Sequence, residues 1–291
     1  MGASEQQLAT RLKSFSNDGL SFPVEDSGPL SGEIVVLLHG FPQTGRAWKK
    51  VAESLNMSGF RTVVPDLRGY SATARPKGRA NYRSSKIVGD VLALISALQI
   101  DSANLIGHDW GALLAWSVAA AYPKKVRSLV AVSVPHYAAY LLSMVTSNQL
   151  VKSYYIVLFQ FPLVAEGLFR LFPRSFEHRL ADSGMAKESI ERVKTDVVKA
   201  GALTAGINWY RGLLVSNQRA MTRRVLVPTV FVWGDRDTLL GRAGAQLTAR
   251  FVAPPYRLKI VEGGSHWLPE ESPEEIVDAF VTLHNRLRST R

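Results

Sequence analysis

The chain has 291 residues, a formal net charge of +11 and no cysteine. The lack of thiols excludes disulfides and thiolate metal sites and agrees with a cytoplasmic location. The positive charge does not indicate nucleic-acid binding, because the basic residues are scattered and do not alternate with aromatic residues on a recognisable module. We expect a solvated basic surface instead.

The first predicted elements follow a polar N-terminal segment. Residues 1–16 lack the apolar core of a signal peptide, which also favours a cytoplasmic protein. Residues 12–15 and 20–24 are short alternating stretches that we predict as antiparallel edge strands.

Apolar runs then alternate with helical patterns along most of the chain. The strands are predicted at residues 34–38, 62–65, 104–106, 128–134, 229–233 and 257–261, and the helices at 47–57, 84–98, 111–122, 242–251 and 273–288. Continuous apolar runs are typical of strands that are buried on both faces. The alternation therefore predicts an α/β fold, with helices on both faces of a mostly parallel sheet.

The alternation stops between residues 135 and 224, where helical patterns such as 190–200 dominate. We predict a core domain of residues 1–134 and 225–291, with residues 135–224 inserted as a helical cap over the carboxyl edge of the sheet, where α/β proteins bind ligands. The most apolar stretch, residues 154–172, is interrupted by Pro162, Glu166 and Arg170, which argues against a membrane span. We expect no integral membrane association and a buried cap segment that lines an apolar substrate site.

The sequence Gly107-His108-Asp109-Trp110-Gly111 lies between a predicted strand and a predicted helix. This is the context of a Gly-x-nucleophile-x-Gly elbow, here with aspartate at the centre. A carboxylate can displace a leaving group at saturated carbon, and water can then cleave the resulting ester. Asp109 is therefore predicted to be the nucleophile of a reaction that differs from that of serine esterases.

Three loops at the ends of predicted strands supply the other groups. His266, in Gly263-Gly264-Ser265-His266, is predicted to be the general base. Asp237 is favoured as the acid that orients it, while Asp235 would brace the turn. Backbone amides of Phe41, after His39-Gly40, and of Trp110 would form an oxyanion hole. No residue cluster has metal-ligand spacing, so we expect neither a metal nor a cofactor.

The elbow, the histidine loop and the cap together resemble the α/β-hydrolase superfamily, specifically soluble epoxide hydrolases and the related haloalkane dehalogenases. The resemblance covers nearly the whole chain from Leu12. It implies two cap tyrosines that protonate the epoxide oxygen. The first match is Tyr155, in a segment similar to residues 155–166, with Tyr154 as its rival; the second is Tyr210, in Asn208-Trp209-Tyr210-Arg211.

The resemblance implies an epoxide hydrolase that forms a vicinal diol through an Asp109 ester. Its small apolar epoxide substrate would contact a set of mainly aromatic side chains: Phe41, Trp110, Tyr155, Tyr210 and Trp267. Haloalkane dehalogenase is the alternative, and a non-catalytic binding module is less consistent with an intact Asp–His–Asp set. The sequence leaves a monomer and a homodimer open.

Overall fold

A computed structural model describes residues 10–289 of the chain. The start of the polar N-terminal segment (residues 1–9) and the end of the basic tail (residues 290–291) lie outside the described residues. The strands of the described range are β1 (Ser14–Asn17), β2 (Leu20–Ser27), β3 (Ile34–Leu38), β4 (Arg61–Pro65), β5 (Ala103–His108), β6 (Val126–Val132), β7 (Thr229–Gly234) and β8 (Tyr256–Val261). Each overlaps a predicted run.

Within residues 10–289 these strands form one eight-stranded sheet in the order β1-β2-β4-β3-β5-β6-β7-β8. β1 pairs antiparallel with β2, and β2 pairs antiparallel with β4. The pairings from β4 through β8 are parallel. The predicted α/β fold with a mostly parallel sheet is therefore confirmed, and the loops after β3, β5, β7 and β8 meet at one edge of the sheet.

The described helices are α1 (Lys49–Met57), α2 (Ser84–Ala97), α3 (Trp110–Ala121), α4 (Tyr137–Thr146), α5 (Gln149–Lys152), α6 (Tyr154–Phe159), α7 (Val164–Leu171), α8 (Pro173–Asp182), α9 (Lys187–Val193), α10 (Leu203–Leu213), α11 (Gln218–Met221), α12 (Arg242–Leu247), α13 (Leu268–Glu271) and α14 (Pro273–Ser289). The predicted helix at 190–200 is divided, because the π-helical turn Lys194–Lys199 follows α9. The one at 242–251 likewise ends in a 3₁₀ turn, Thr248–Phe251.

Side chains of the central strands alternate between two cores, one on each face of the sheet. On β3, Val35 and Leu37 pack with the core that α1 and α14 cover. Val36 and Leu38 pack on the opposite face, with the core that α2 and α3 cover. Every residue of β3 is buried, which explains its continuous apolar sequence. Burying each such side chain contributes roughly 1.5–3 kcal/mol.

Helices α4 to α11 lie between β6 and β7, inside the predicted insert. Pro162 separates α6 from α7, so no long helix forms there. The expectation that residues 154–172 are buried is wrong for much of the segment: Phe159 and Ala165 are buried, but Leu163 and Leu171 are exposed. The physical reason is that a one- or two-turn helix in a single layer buries only one of its faces.

None of the helices within residues 10–289 combines the length and the apolar composition needed to cross a bilayer. The cytoplasmic location and the choice between monomer and homodimer stay predictions.

Candidate active site

Asp109 occupies the sharp turn between β5 and α3. Its backbone has a φ of 51° and a ψ of −119°, a strained conformation for a residue with a side chain. Glycines make the turn sterically feasible. A Cβ on Gly107 would collide with the carbonyl group of Gly111, and a Cβ on Gly111 would collide with that of Leu38. The turn holds Asp109 at the carboxyl edge of the sheet and at the N-terminus of α3.

Backbone amides stabilise the Asp109 carboxylate. The Phe41 N–H donates a 2.7 Å hydrogen bond to Oδ1, and the Trp110 N–H also donates to this carboxylate. Burial by itself would raise the pKa of Asp109, but the facing His266 and the Trp110 amide lower it below its ordinary value. Asp109 is therefore ionised at neutral pH, as its predicted role of nucleophile requires. Both amides expected in the oxyanion hole lie beside it.

His266 lies between two carboxylates. Its Nδ1–H donates a 2.8 Å hydrogen bond to Oδ2 of Asp237, whose Oδ1 accepts hydrogen bonds from the Leu239 and Leu240 amides at 2.8 and 2.9 Å. Its Nε2 faces Asp109, 3.5 Å from Oδ2, and has no hydrogen-bonding partner among residues 10–289. The structure thus brings the predicted nucleophile, base and acid into one line, and it orients Nε2 toward the nucleophile.

The two carboxylates set the charge of His266. Burial opposes the charged imidazole, but the negative charge and the hydrogen bond of Asp237, together with the negative charge of the facing Asp109, raise its pKa to about 10. His266 is consequently an imidazolium when Asp109 is free. Loss of the Asp109 charge would remove one of these causes and lower the pKa of His266.

Two side chains hydrogen-bond to the backbone of His266. Its carbonyl oxygen accepts hydrogen bonds from Ser133 Oγ at 2.7 Å and from His108 Nε2 at 2.9 Å. Burial lowers the pKa of His108 to about 4, so this imidazole is neutral and its proton is on Nε2. The sequence analysis missed Ser133. The available signal is its position directly after β6, because the ends of parallel strands meet at the same edge of the sheet.

Other polar side chains near the site hold loops. Asp235 accepts a 2.8 Å hydrogen bond from the Gly263 amide, which is the bracing role that the sequence suggested. His39 Nε2 accepts a 3.0 Å hydrogen bond from the Leu67 amide, and burial lowers the pKa of His39. These groups form hydrogen bonds to backbone amides and are therefore poorer candidates than His266 and Asp237 for the predicted base and acid.

Tyr155 on α6 and Tyr210 on α10 lie over Asp109. Their ring centroids are 6.0 Å apart, and Asp109 and both tyrosines line the same two cavities. Burial raises the pKa of each phenol well above its ordinary value, and the nearby Asp109 charge adds to the effect. Both phenols are protonated at neutral pH. Tyr154, the rival for the first position, is half exposed under the Arg179 guanidinium.

A cavity of about 680 Å³ extends from Asp109 between core and cap. Besides the two tyrosines, the predicted substrate contacts Phe41 and Trp267 line it. The Trp267 indole N–H donates to Ser183 Oγ of the cap at 2.9 Å, which fixes the ring. The lining is mainly aromatic and aliphatic, so the site favours an apolar ligand.

Comparison with known proteins identifies the fold family. A family model described as alpha/beta hydrolase fold matches residues 33–273. The chain belongs to the α/β-hydrolase family. It is 33% identical over 275 residues to Epoxide hydrolase 3 of Xenopus tropicalis, covering 89% of this chain and 73% of that protein. It is 32% identical over 266 residues to the AB hydrolase superfamily protein YfhM of Bacillus subtilis, covering 89% and 92%.

A solved structure agrees with these relatives. The crystal structure of an epoxide hydrolase from Vigna radiata is similar to this α/β-hydrolase with a TM-score of 0.79 and 26% identity, covering 98% of this chain and 99% of that one. The resemblance to the epoxide hydrolase group expected from the sequence is confirmed, and the chain is a hydrolase enzyme.

This α/β-hydrolase has a second, smaller cavity of about 60 Å³ that Asp109 also lines. It shares Asp109, Tyr155 and Tyr210 with the large cavity. Trp110, the remaining predicted substrate contact, lines only this smaller space, together with Leu213 and other apolar side chains. The two cavities therefore meet at the carboxylate and the tyrosine pair.

Proposed function

We propose that this α/β-hydrolase adds water to a small apolar epoxide and releases a vicinal diol through a covalent ester of Asp109. The observation that carries the proposal is a pair of protonated tyrosines, Tyr155 and Tyr210, next to an ionised carboxylate in an apolar cavity. The similarity to proteins named epoxide hydrolases supports the same substrate class.

In the first step a carboxylate oxygen of Asp109 attacks one ring carbon from the side opposite its C–O bond. That bond breaks, and the released oxygen takes a proton from one of the two tyrosines while the other donates a hydrogen bond. An alkoxide would be a poor leaving group in a cavity that offers it little water. The tyrosine pair therefore supplies what ring opening requires, and the resulting tyrosinate later regains a proton.

In the second step His266 acts as the base. Ester formation removes the charge of Asp109, so the pKa of His266 falls and the imidazolium loses its proton, which restores the tyrosinate left by ring opening to a phenol. The neutral imidazole then takes a proton from water, which attacks the ester carbonyl. The amides of Phe41 and Trp110 stabilise the resulting oxyanion. The acyl C–O bond of the ester then breaks, and the diol oxygen takes the proton held by His266. The remaining proton of the water passes from the Asp109 carboxyl to His266, so that both groups regain their starting charges.

Haloalkane dehalogenation would use the same Asp–His–Asp set but would leave the tyrosine pair without a role, since a halide needs no proton. A halide also needs N–H donors, and the Phe41 side chain offers none. The geometry therefore favours the epoxide.

The test is a single turnover of His266→Gln with an aryl epoxide, followed by mass spectrometry of the intact protein. We expect the mass of the protein to rise by the mass of the epoxide, because the ester forms but is not hydrolysed. The exposed His178 provides the control: His178→Gln should turn over fully and carry no adduct. Epoxide consumption by His266→Gln without any protein adduct would overturn the two-step scheme.

A parallel assay of the unmodified enzyme decides the leaving group. Diol formation from aryl and fatty epoxides is compared with halide release from haloalkanes. Halide release without diol formation would transfer the assignment to dehalogenation.

A further inference from the structure

The cap carries an exposed apolar surface that the proposed reaction does not use. On α6 and the turn that follows, Tyr154, Val157 and Phe161 are exposed at helical spacing. Leu163 is 81% exposed and Leu171 is 74% exposed. We name the exposed apolar side chains of residues 154–172 the cap patch. Soluble monomers rarely leave so many large apolar side chains together at the surface.

Helix α7 shows that the exposure is one-sided. Val164, Leu168 and Leu171 recur at positions i, i+4 and i+7 and are exposed, whereas Ala165 and Glu166 on the other side are buried. The outer face of this amphipathic helix is therefore apolar, the reverse of a solvated surface helix. Because α6, α7 and α8 pack in succession, their exposed residues belong to one region of the cap.

The exposed charges of residues 154–176 are of one sign, and the exposed acid of α8, Asp182, lies at the C-terminal end of that helix. Between residues 154 and 176 the exposed charged side chains are Arg170 and Arg174. Neither forms an ion pair with any residue in the range 10–289. The acid of this segment, Glu166, is buried and paired with Arg211 at 2.7 Å. An apolar surface bordered by unpaired arginines is complementary to a layer that is apolar inside and anionic at its surface.

The cap patch also reaches the entrance of the catalytic cavity. Tyr154, Leu168 and Phe172 are exposed to solvent, yet they also line the 680 Å³ cavity that contains Asp109. A ligand held against the cap patch would thus lie at the cavity entrance without first entering bulk water.

We propose that the cap patch docks this hydrolase on the surface of anionic lipid bilayers, from which an apolar epoxide passes directly into the cavity. The substrate part of this inference rests on the proposed function; the docking does not. A second copy of the chain is a poorer occupant, because residues 154–176 expose two arginines and no acid, so face-to-face pairing of this segment would set like charges against each other. The net charge of +11 acts in the same direction.

The experiment is co-sedimentation of the full chain with vesicles. We compare vesicles of phosphatidylcholine with vesicles that also contain about 30% phosphatidylglycerol, an anionic lipid. The protein should sediment with the anionic vesicles and bind the neutral ones at least about tenfold more weakly. Absence of sedimentation with the anionic vesicles would overturn the proposal.

Two variants separate the apolar from the electrostatic contribution. L163S/L171S should weaken binding to anionic vesicles about tenfold, because less apolar surface enters the interface. R170Q/R174Q should weaken it by about fivefold per arginine. None of these residues lines a cavity at Asp109. If only the arginine variant weakened binding, the protein would adsorb by charge alone and the cap patch would not be the docking surface.

Matched controls lie at the opposite edge of the sheet. Met57 is 83% exposed at the end of α1, just before β4, and Lys124 and Lys125 precede β6. M57S and K124Q/K125Q should leave vesicle binding unchanged. An equal loss in these variants, or a wild-type dimer that L163S/L171S converts to a monomer in size-exclusion chromatography, would overturn the proposal.

Diol formation from a water-soluble epoxide, measured without vesicles, distinguishes this inference from the proposed function. L163S/L171S should form diol at the wild-type rate while failing to sediment. A wild-type protein that sediments but forms no diol would contradict the proposed function and leave the docking surface supported.

Discussion

In the proposed mechanism, Tyr155 and Tyr210 determine which leaving group the site can expel, because their protons are needed only when the leaving atom is an alkoxide oxygen. We predict that Tyr155→Phe and Tyr210→Phe each slow ring opening about a hundredfold. Hydrolysis of the Asp109 ester should change little. Rapid-quench measurements of both steps test this, with Tyr122→Phe, a partly exposed tyrosine after α3, as the control. Equal slowing of the two steps would contradict the assignment of the tyrosines as proton donors.

The pH dependence should differ between the two steps. Ring opening needs ionised Asp109, whose pKa is lowered, and protonated phenols, whose pKa values are raised well above their ordinary value. Its rate should therefore be flat between about pH 5 and pH 9. Ester hydrolysis needs neutral His266, so its rate should rise with pH through the pKa of the esterified enzyme.

In the esterified enzyme the pKa of His266 should lie below about 10, which is its value when Asp109 is charged. Single-turnover rates across this pH range measure both profiles. A ring-opening rate that rose with pH, or ester hydrolysis that slowed with pH, would be inconsistent with these charge states.

At the scale of residues, a side chain can be predicted from the sequence when its residue type stands in a known local motif. The elbow around Asp109 and the glycine-rich loop at His266 are of this kind. Ser133 was not predicted. It donates to the carbonyl oxygen of His266, and the two residues are 133 positions apart in the sequence. Such a contact depends on the pairing of the strands, which no local pattern of serine and histidine encodes.

At the scale of elements, the helix with Tyr210 is fixed to the α6–α7 segment by a buried ion pair. Arg211 donates to both oxygens of Glu166, at 2.7 and 3.0 Å, and its Nε–H donates to the Phe159 carbonyl oxygen at 2.7 Å. Both side chains are almost fully buried. Removal of one partner would leave the other charge without compensation.

Glu166→Gln should therefore lower the free energy of unfolding by about 3–5 kcal/mol. The exposed pair of Lys49 and Glu53 provides the control, and Glu53→Gln should cost less than about 1 kcal/mol. Urea denaturation measures both. A loss for Glu166→Gln as small as that of the control would show that the pair does not hold the cap helices together.

The same ion pair also predicts how the stability of the protein depends on pH in acid. Burial would raise the pKa of Glu166, but the hydrogen bonds from Arg211 lower it below the ordinary value. A lowered folded-state pKa means that the pair stabilises the protein above about pH 4.3 and that this contribution is lost as the pH falls through the folded-state value. The wild-type protein should thus lose stability in acid more steeply than Glu166→Gln.

The elements of the core were easier to predict than those of the cap. A strand such as β3 is apolar throughout because it is buried on both faces, so its sequence pattern predicts that it is buried. Residues 154–172 are also largely apolar, yet many of their large apolar side chains are exposed. The composition of a helix does not tell whether an apolar face is buried or exposed. That α6 and α7 leave one face uncovered follows only from the three-dimensional structure.

At the scale of the whole molecule, the sheet edge and the cap together enclose two unequal cavities that meet at Asp109. In the proposed reaction, an epoxide held by Tyr155 and Tyr210 would have one carbon next to each cavity. The space of about 680 Å³ can take a long or branched substituent, whereas that of about 60 Å³ has room for a small alkyl group. Neither volume follows from a sequence motif, because each is formed by residues of both core and cap.

The enzyme should therefore prefer epoxides with one large substituent and a hydrogen or a methyl group on the other carbon. In a series of trans-disubstituted epoxides, kcat/KM should fall about tenfold or more once the smaller substituent exceeds about two carbons. Leu213 lines the small cavity and Leu158 the large one. Leu213→Ala should restore turnover of the bulkier epoxides and Leu158→Ala should not. If both variants restored it equally, the second substituent would occupy the large cavity too, and the division of the site by the tyrosine pair would have no part in substrate choice.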